Sequence, residues 1–210
     1  MENKKIVEYR GIEGLVGAIL EEDTKEGLTY GTPFYIAGTS ELSKETETAS
    51  DTHYYDNGPK IVIDATGADT VNVNVSAVTL DVIAKITGQK YNEEKGTLIE
   101  GGARAPYVAI GYVTEDTDEK KIYVWRHKGK FSRPSETHST KDNGTDANGQ
   151  ELTFTGIETE YRSAANDNKP IMATVCMANK CGMTREEFFA KVQTPDDIIT
   201  SGGTVEEAQG

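Results

Sequence analysis

The chain has 210 residues, enough for one domain or a domain with an appendage. Only 36% of them are hydrophobic and 21 are glycine, a lean supply for one compact core and a sign of many turns. A formal charge of −13 argues against a protein that grips phosphates, because nucleic-acid binders carry the opposite sign, but not against one that DNA must slide past.

The opening MENKKIVEYRGIEG has two lysines but no apolar stretch of signal-peptide type, so the chain is expected to stay where it is made. No apolar run approaches the ~20 residues of a membrane span, and no membrane partner is expected. Strands are predicted at Gly14–Leu20 and Pro33–Ala37. The next segment, SELSKETETASDTHYYDNGP (40–59), holds Glu41, Glu45, Glu47, Asp51 and Asp56 against Lys44, with His53, Tyr54 and Tyr55 near its end. Leu42 is its only sizeable aliphatic residue, so it buries little against its own domain, while its Ser, Thr and Tyr favour an extended strand. The segment reads as an inter-subunit arm over 39–59 or as a disordered acidic loop.

Strands follow at Lys60–Asp64 and Val71–Ser76, the second a strict alternation of valines with Asn72, Asn74 and Ser76. Ala65–Asp69 between them predicts a hairpin turn. Thr79–Thr87 reads as a helix stopped by Gly88. A second hairpin is predicted to join Tyr107–Val113 to Lys121–His127, followed by a polar loop at 135–150 and strands at Glu151–Ile157 and Ile171–Met177. Thr184 and Glu187 form a capping box for a helix over Thr184–Thr194, with Met183 stapled onto Phe188 and Pro195 as its stop. Residues 200–210 complete an acidic tail that is expected to be mobile. The sum is a mainly β, α+β chain, with one domain over residues 1–199.

A search for chemistry returns little. Hydrolase, zinc-protease, nucleotide-binding and dinucleotide-binding motifs are absent. Cys176 and Cys181 are the only cysteines, which supports neither a zinc site nor a disulfide framework. The histidines are scattered. Residues 142–151 are rich in Asp, Asn and Gly, as a calcium loop would be, but miss the EF-hand spacing and read as turns. No catalytic residue, cofactor or metal is assigned.

Two segments, SKETETASDTHYYDNGP (43–59) and KDNGTDANGQELTFTGI (141–157), go further. With KIVEYRGIEGLVGAIL (5–20) and ITGQKYNEEKGTLIEGG (86–102), they resemble the major tail proteins of long-tailed bacteriophages of Gram-positive hosts, the phi13 family, from about Lys5 to about Ile199. The resemblance implies an antiparallel β-sandwich or partial barrel with a flanking α-helix and a C-terminal helix. It further implies hexameric rings stacked into a hollow tube in the virion tail, assembled in the host cytoplasm, through which DNA passes without specific binding. Tape-measure, tail-tip and tail-terminator proteins would be its partners, and no catalytic residues are implied. Many members carry a further immunoglobulin-like domain; with the chain ending at Gly210, none is expected here.

Within that frame Asp64, Asp69, Asn72, Asn74, Ser76, Glu151, Thr153 and Thr155 are candidate lumen-facing residues, a mild acidic wall that would repel a duplex from sticking. They would suit an outer solvent face equally. The 40–59 arm would join subunits by β-augmentation or by ordering on contact. The competing reading from another class is an immunoglobulin-like adhesive module, which predicts a monomer with a ligand face.

Overall fold

A computed structural model describes residues 7–135 and 149–201. Strands dominate: β1 (Tyr9–Asp23), β2 (Leu28–Tyr30), β3 (Phe34–Ala37), β4 (Thr39–Tyr55), β5 (Gly58–Val75), β6 (Lys90–Asn92), β7 (Thr97–Ile99), β8 (Val108–Asp116), β9 (Lys121–Phe131), β10 (Gln150–Gly156), β11 (Arg162–Ser163), β12 (Lys169–Pro170) and β13 (Ala173–Met177). Three short helices accompany them: α1 (Leu80–Thr87), α2 (Arg185–Ala190) and α3 (Pro195–Ser201). The fold is mainly β and antiparallel, as expected.

The main sheet runs β2-β1-β8-β9-β10-β5-β4, with β3 also on β1 and β13 also on β9. Gly38 alone separates β3, paired to β1, from β4, paired to β5. One bent strand therefore joins the two ends of the sheet, which curls into a partial barrel. Period-two alternation fills the interior: Val71, Val73 and Val75 of β5 meet Leu152 and Phe154 of β10, Phe131 of β9, and Val108 and Ile110 of β8. The α1 helix contributes Val82, Ile83 and Ile86 to the same cluster and ends at Gly88, whose φ of 74° is the left-handed C-cap that glycine adopts without strain.

Outside the barrel wall, Ala18, Ala109, Val113, Tyr123 and Trp125 form a second apolar face. Phe188, Val192, Phe189 and Ile198 of the C-terminal segment cover it. Trp125 Nε1 donates to the Phe188 carbonyl at 3.1 Å, which satisfies the one polar atom of a fully buried indole. Half of the wall is therefore covered by helices, while the β10-β5-β4 half is not.

Two expectations are corrected. Ala65–Asp69 is no turn: β5 is continuous from Gly58 to Val75 and pairs with β4 along its length. Gly67 and Ala68 stand opposite the single residue Glu47, and a Cβ on Gly67 would lie 3.0 Å from the Glu47 Cβ. Turn-forming composition there marks a bulge rather than a reversal. The C-terminal helix is also shorter than its pattern. The capping box is present, yet α2 stops at Ala190 and Pro195 opens α3, using proline's preference for a first helical position. Most of the predicted 135–150 loop, with its calcium-like stretch, and nearly all of the 200–210 tail lie outside the described residues.

Candidate assembly surfaces

The ladder between β5 and β10 sets Glu151 against Asn74, Thr153 against Asn72 and Thr155 against Thr70. On the far side of β5, β4 sets Glu41 against Asn74, Ser43 against Asn72 and Glu45 against Thr70. The residues from β5 and β10 alternate with buried neighbours, so they share the outer, uncovered face of the barrel wall. Thr153 Oγ1 donates to Asn72 Oδ1 at 3.0 Å, and Asn74 Nδ2 donates to Glu41 Oε2 at 3.1 Å. Lys130, opposite Thr155 on β9, is the cation at the border of this face. Ser76 lies just past the end of β5, where its hydroxyl accepts from the Gly38 N–H at 3.2 Å.

Asp69 and Asp64 do not join that wall. Asp69 has the parity of Val71, Val73 and Val75, so it points inward and is buried. There it accepts from Arg126 Nη1 at 2.7 Å, Thr46 Oγ1 at 2.6 Å and Lys44 Nζ at 3.3 Å, and Arg126 Nη2 donates on to the Tyr112 hydroxyl at 3.3 Å. Four strands are tied at this point. Asp64 lies beyond the bulge opposite Ser50, in the exposed part of the β4-β5 hairpin.

That hairpin is the other unusual surface. Pairing of β5 with β10 ends at Asp69 opposite Gly156, but β5 and β4 continue as a two-stranded ribbon to a turn at Asp56-Asn57. Both turn residues have positive φ, 50° and 62°, the geometry that Asn and Asp tolerate best. Eleven residues of β5, 58–68, project past the last β10 pair, about 36 Å at strand rise. Tyr54, Tyr55, Ile61, Val62 and Ile63 on it are 48–68% exposed. His53 Nε2 lies 3.3 Å from Asp51 Oδ2, and Glu41, Glu45, Glu47, Asp51 and Asp56 are all exposed. The 39–59 arm is thus one strand of a hairpin whose far half has no core beneath it.

Residues 39–192, more than half of the chain, match the family model described as phage tail tube protein. The chain belongs to that family. No curated protein matches it.

In this tail tube protein, a component of the phage tail, the polar wall and the projecting hairpin are the two surfaces that neither a helix nor the body's own core covers. Titratable groups elsewhere serve the body. His127 is fully buried, with Nε2 2.7 Å from Thr174 Oγ1, and burial pushes its pKa down to about 4. Burial works against the Asp23 carboxylate, but hydrogen bonds from Lys128 and from the N–H groups of Glu160 and Tyr161 outweigh it and hold its pKa below the ordinary value. Burial, helped by the neighbouring Cys181 thiol, pushes Cys176 up to about 12, which disfavours a reactive thiolate there. Among the described residues, no group of three or more His, Cys, Asp or Glu could hold a metal. Sequence reasoning missed Thr70, Ser43 and Lys130 as members of the polar wall. Thr70 was findable, because it extends the alternation of Asn72 and Asn74 by one step.

Proposed function

We propose that the chain is the major tail tube subunit of a long-tailed phage, of the phi13 type from a Gram-positive host. In this reading it polymerises as stacked hexameric rings into a tube that conducts DNA. The observation that carries the reading is the hairpin: a ribbon with five exposed large apolar or aromatic side chains and no core of its own is costly to leave in water. The barrel interior supports it too, because Val71, Val73, Leu152 and Phe154 occupy its centre with side chains. A single chain therefore cannot surround a duplex, and a ring must.

The wall of Asn72, Asn74, Thr153 and Thr155, with Glu41, Glu45 and Glu151 at its margins, is the proposed lumen. Amide and hydroxyl groups offer no cationic grip on phosphate, and the carboxylates keep the duplex off the surface. The hairpin, from Glu45 to Asp64, is the proposed contact between subunits, repeating head to tail without closing. Tape-measure, tip and terminator proteins would meet the same surfaces at the tube ends. The protein acts by assembly and carries out no catalysis.

Negative-stain electron microscopy of the concentrated protein tests this, beside a variant lacking Thr48–Thr66, which removes both strands of the projection together. Hollow tubes from the full chain and a folded, soluble monomer from the variant are expected. Tubes from the shortened chain would show that the hairpin is not the contact.

A further inference from the structure

The curled sheet does not close completely. β1 pairs with β3 as far as Leu15 opposite Ala37, and β4 then pairs with β5. Beyond that parting, no strand among the described residues pairs with the edge of β1 at Tyr9–Gly14 or with the outer edge of β4. A slot with a cavity of about 840 Å³ opens between the two edges. Its floor is apolar: Ile12, Leu42, Tyr112, Ile122 and Val124 pack there as a separate cluster. Its charged lining is Arg10, Lys44 and Arg126, with no carboxylate among the residues that line it. All three are already paired within the chain, Arg10 with Glu115 and Glu119, and Lys44 and Arg126 with Asp69, so what distinguishes the slot is its apolar floor between two free strand edges.

We infer that this slot is the seat for the projecting hairpin of a second copy of the chain. Unpaired strand edges flanking an apolar floor are what an added strand requires, since the edges supply backbone hydrogen bonds and the floor takes alternate side chains. The hairpin offers the complement: Ile61, Val62 and Ile63 are exposed in one run on a ribbon with no core beneath it. The hairpin cannot fill its own slot. Lys44 stands at the slot, and Tyr55 lies eleven residues farther along the same strand, about 36 Å away. Hairpin and slot are different surfaces of one molecule, so the joint is heterologous and propagates from copy to copy.

The inference rests on the tube reading and names the receptor for its hairpin. Its test uses two full-length variants, each with one half of the joint blocked. Ile61→Asp with Ile63→Asp blocks the hairpin at exposed positions; Ser40→Trp fills the slot from its exposed rim. Circular dichroism and thermal melting confirm that each is folded. Sedimentation velocity is expected to show each variant alone as a monomer and their mixture as a 1:1 dimer, joined by the one intact hairpin and the one intact slot. A mixture that stays monomeric overturns the proposal, as does a Ser40→Trp chain that associates like the wild type. A dimer that forms only after residues 1–6 are removed would give the slot to the chain's own N-terminus and overturn it as well. Wild-type tubes beside a monomeric mixture leave the tube reading standing, whereas a dimer without tubes removes the tube and keeps the joint.

Discussion

β4 and β5 each belong to two different regions of the molecule. Between Asp69 and Val75, β5 is flanked on both sides and sends three valines into a filled interior. Between Gly58 and Ala68 the same strand pairs only with β4, and its side chains face water. The body is held by burial, at roughly 25 cal/mol per Å² of apolar surface. The ribbon has only its own ladder and the ionic knot at its root, and an isolated two-stranded ribbon is marginal in water. The same backbone pattern thus serves stability in one region and is left over for partners in the other.

Substitutions can break this contrast from the body's side. The largest effect is expected from Phe154→Ala, which empties the centre of the interior against Phe131. A loss of about 4 kcal/mol is expected from the transfer and cavity costs, read as a shift in urea midpoint. Next comes Asp69→Asn, which leaves Arg126 buried against a neutral amide where a carboxylate sat 2.7 Å away. The expected cost is about 3 kcal/mol. Protease cleavage in the ribbon should rise more than cleavage in the body, because Lys44 and Thr46 of β4 lose the same anchor. A ribbon that stays as resistant as before would show that the knot does not hold its root.

Acid reaches the body through His127. Its folded pKa of about 4 lies below the ordinary 6.5, so the neutral ring is the one the fold accepts. Above pH 6.5 neither state binds the proton and there is no penalty. As pH falls from 6.5 to 4 the unfolded chain takes up a proton that the folded chain refuses, and stability drops by roughly 3 kcal/mol before levelling off. His127→Gln should flatten that part of a stability-versus-pH curve. Asp23, whose pKa is depressed, adds its own loss only at lower pH, once the medium falls through its folded value.

Much of the body was legible in the residues. The valine alternation at 71–75, the Gly88 stop and the Thr184–Glu187 box are local signals, and local physics decided them. What was hidden depended on distant partners. Ala65–Asp69 has turn composition, yet its pairing with β4 overrides that preference. Asp69 looked like a wall residue because its partner Arg126 is 57 positions away in sequence. Its parity with Val71 was visible and carried the right answer. The wall itself needed the register between Asn74 and Glu151, which no local pattern contains. The β4 side of the exposed hairpin was legible as an extended arm with little to bury, but its β5 side was not: Ile61, Val62 and Ile63 read as an ordinary strand before a turn, and only the pairing with β4 shows them exposed on the ribbon.

The smallest effect on stability should come from the ribbon, and it sharpens the contrast most. Ile61→Ser with Ile63→Ser removes two side chains that are 48% and 54% exposed and lie opposite His53 and Asp51. Exposed substitutions away from caps and cores typically change stability by no more than about 0.5 kcal/mol. The melting temperature should therefore stay within a few degrees of the wild type while polymerisation is lost, as followed by light scattering at rising concentration. Body and ribbon would then be separable: Phe154→Ala loses assembly because it loses the fold, and the isoleucine pair loses assembly with the fold intact. If the serine variant melts far below the wild type, the ribbon is part of the body's own stability, and the division drawn at Asp69 is misplaced.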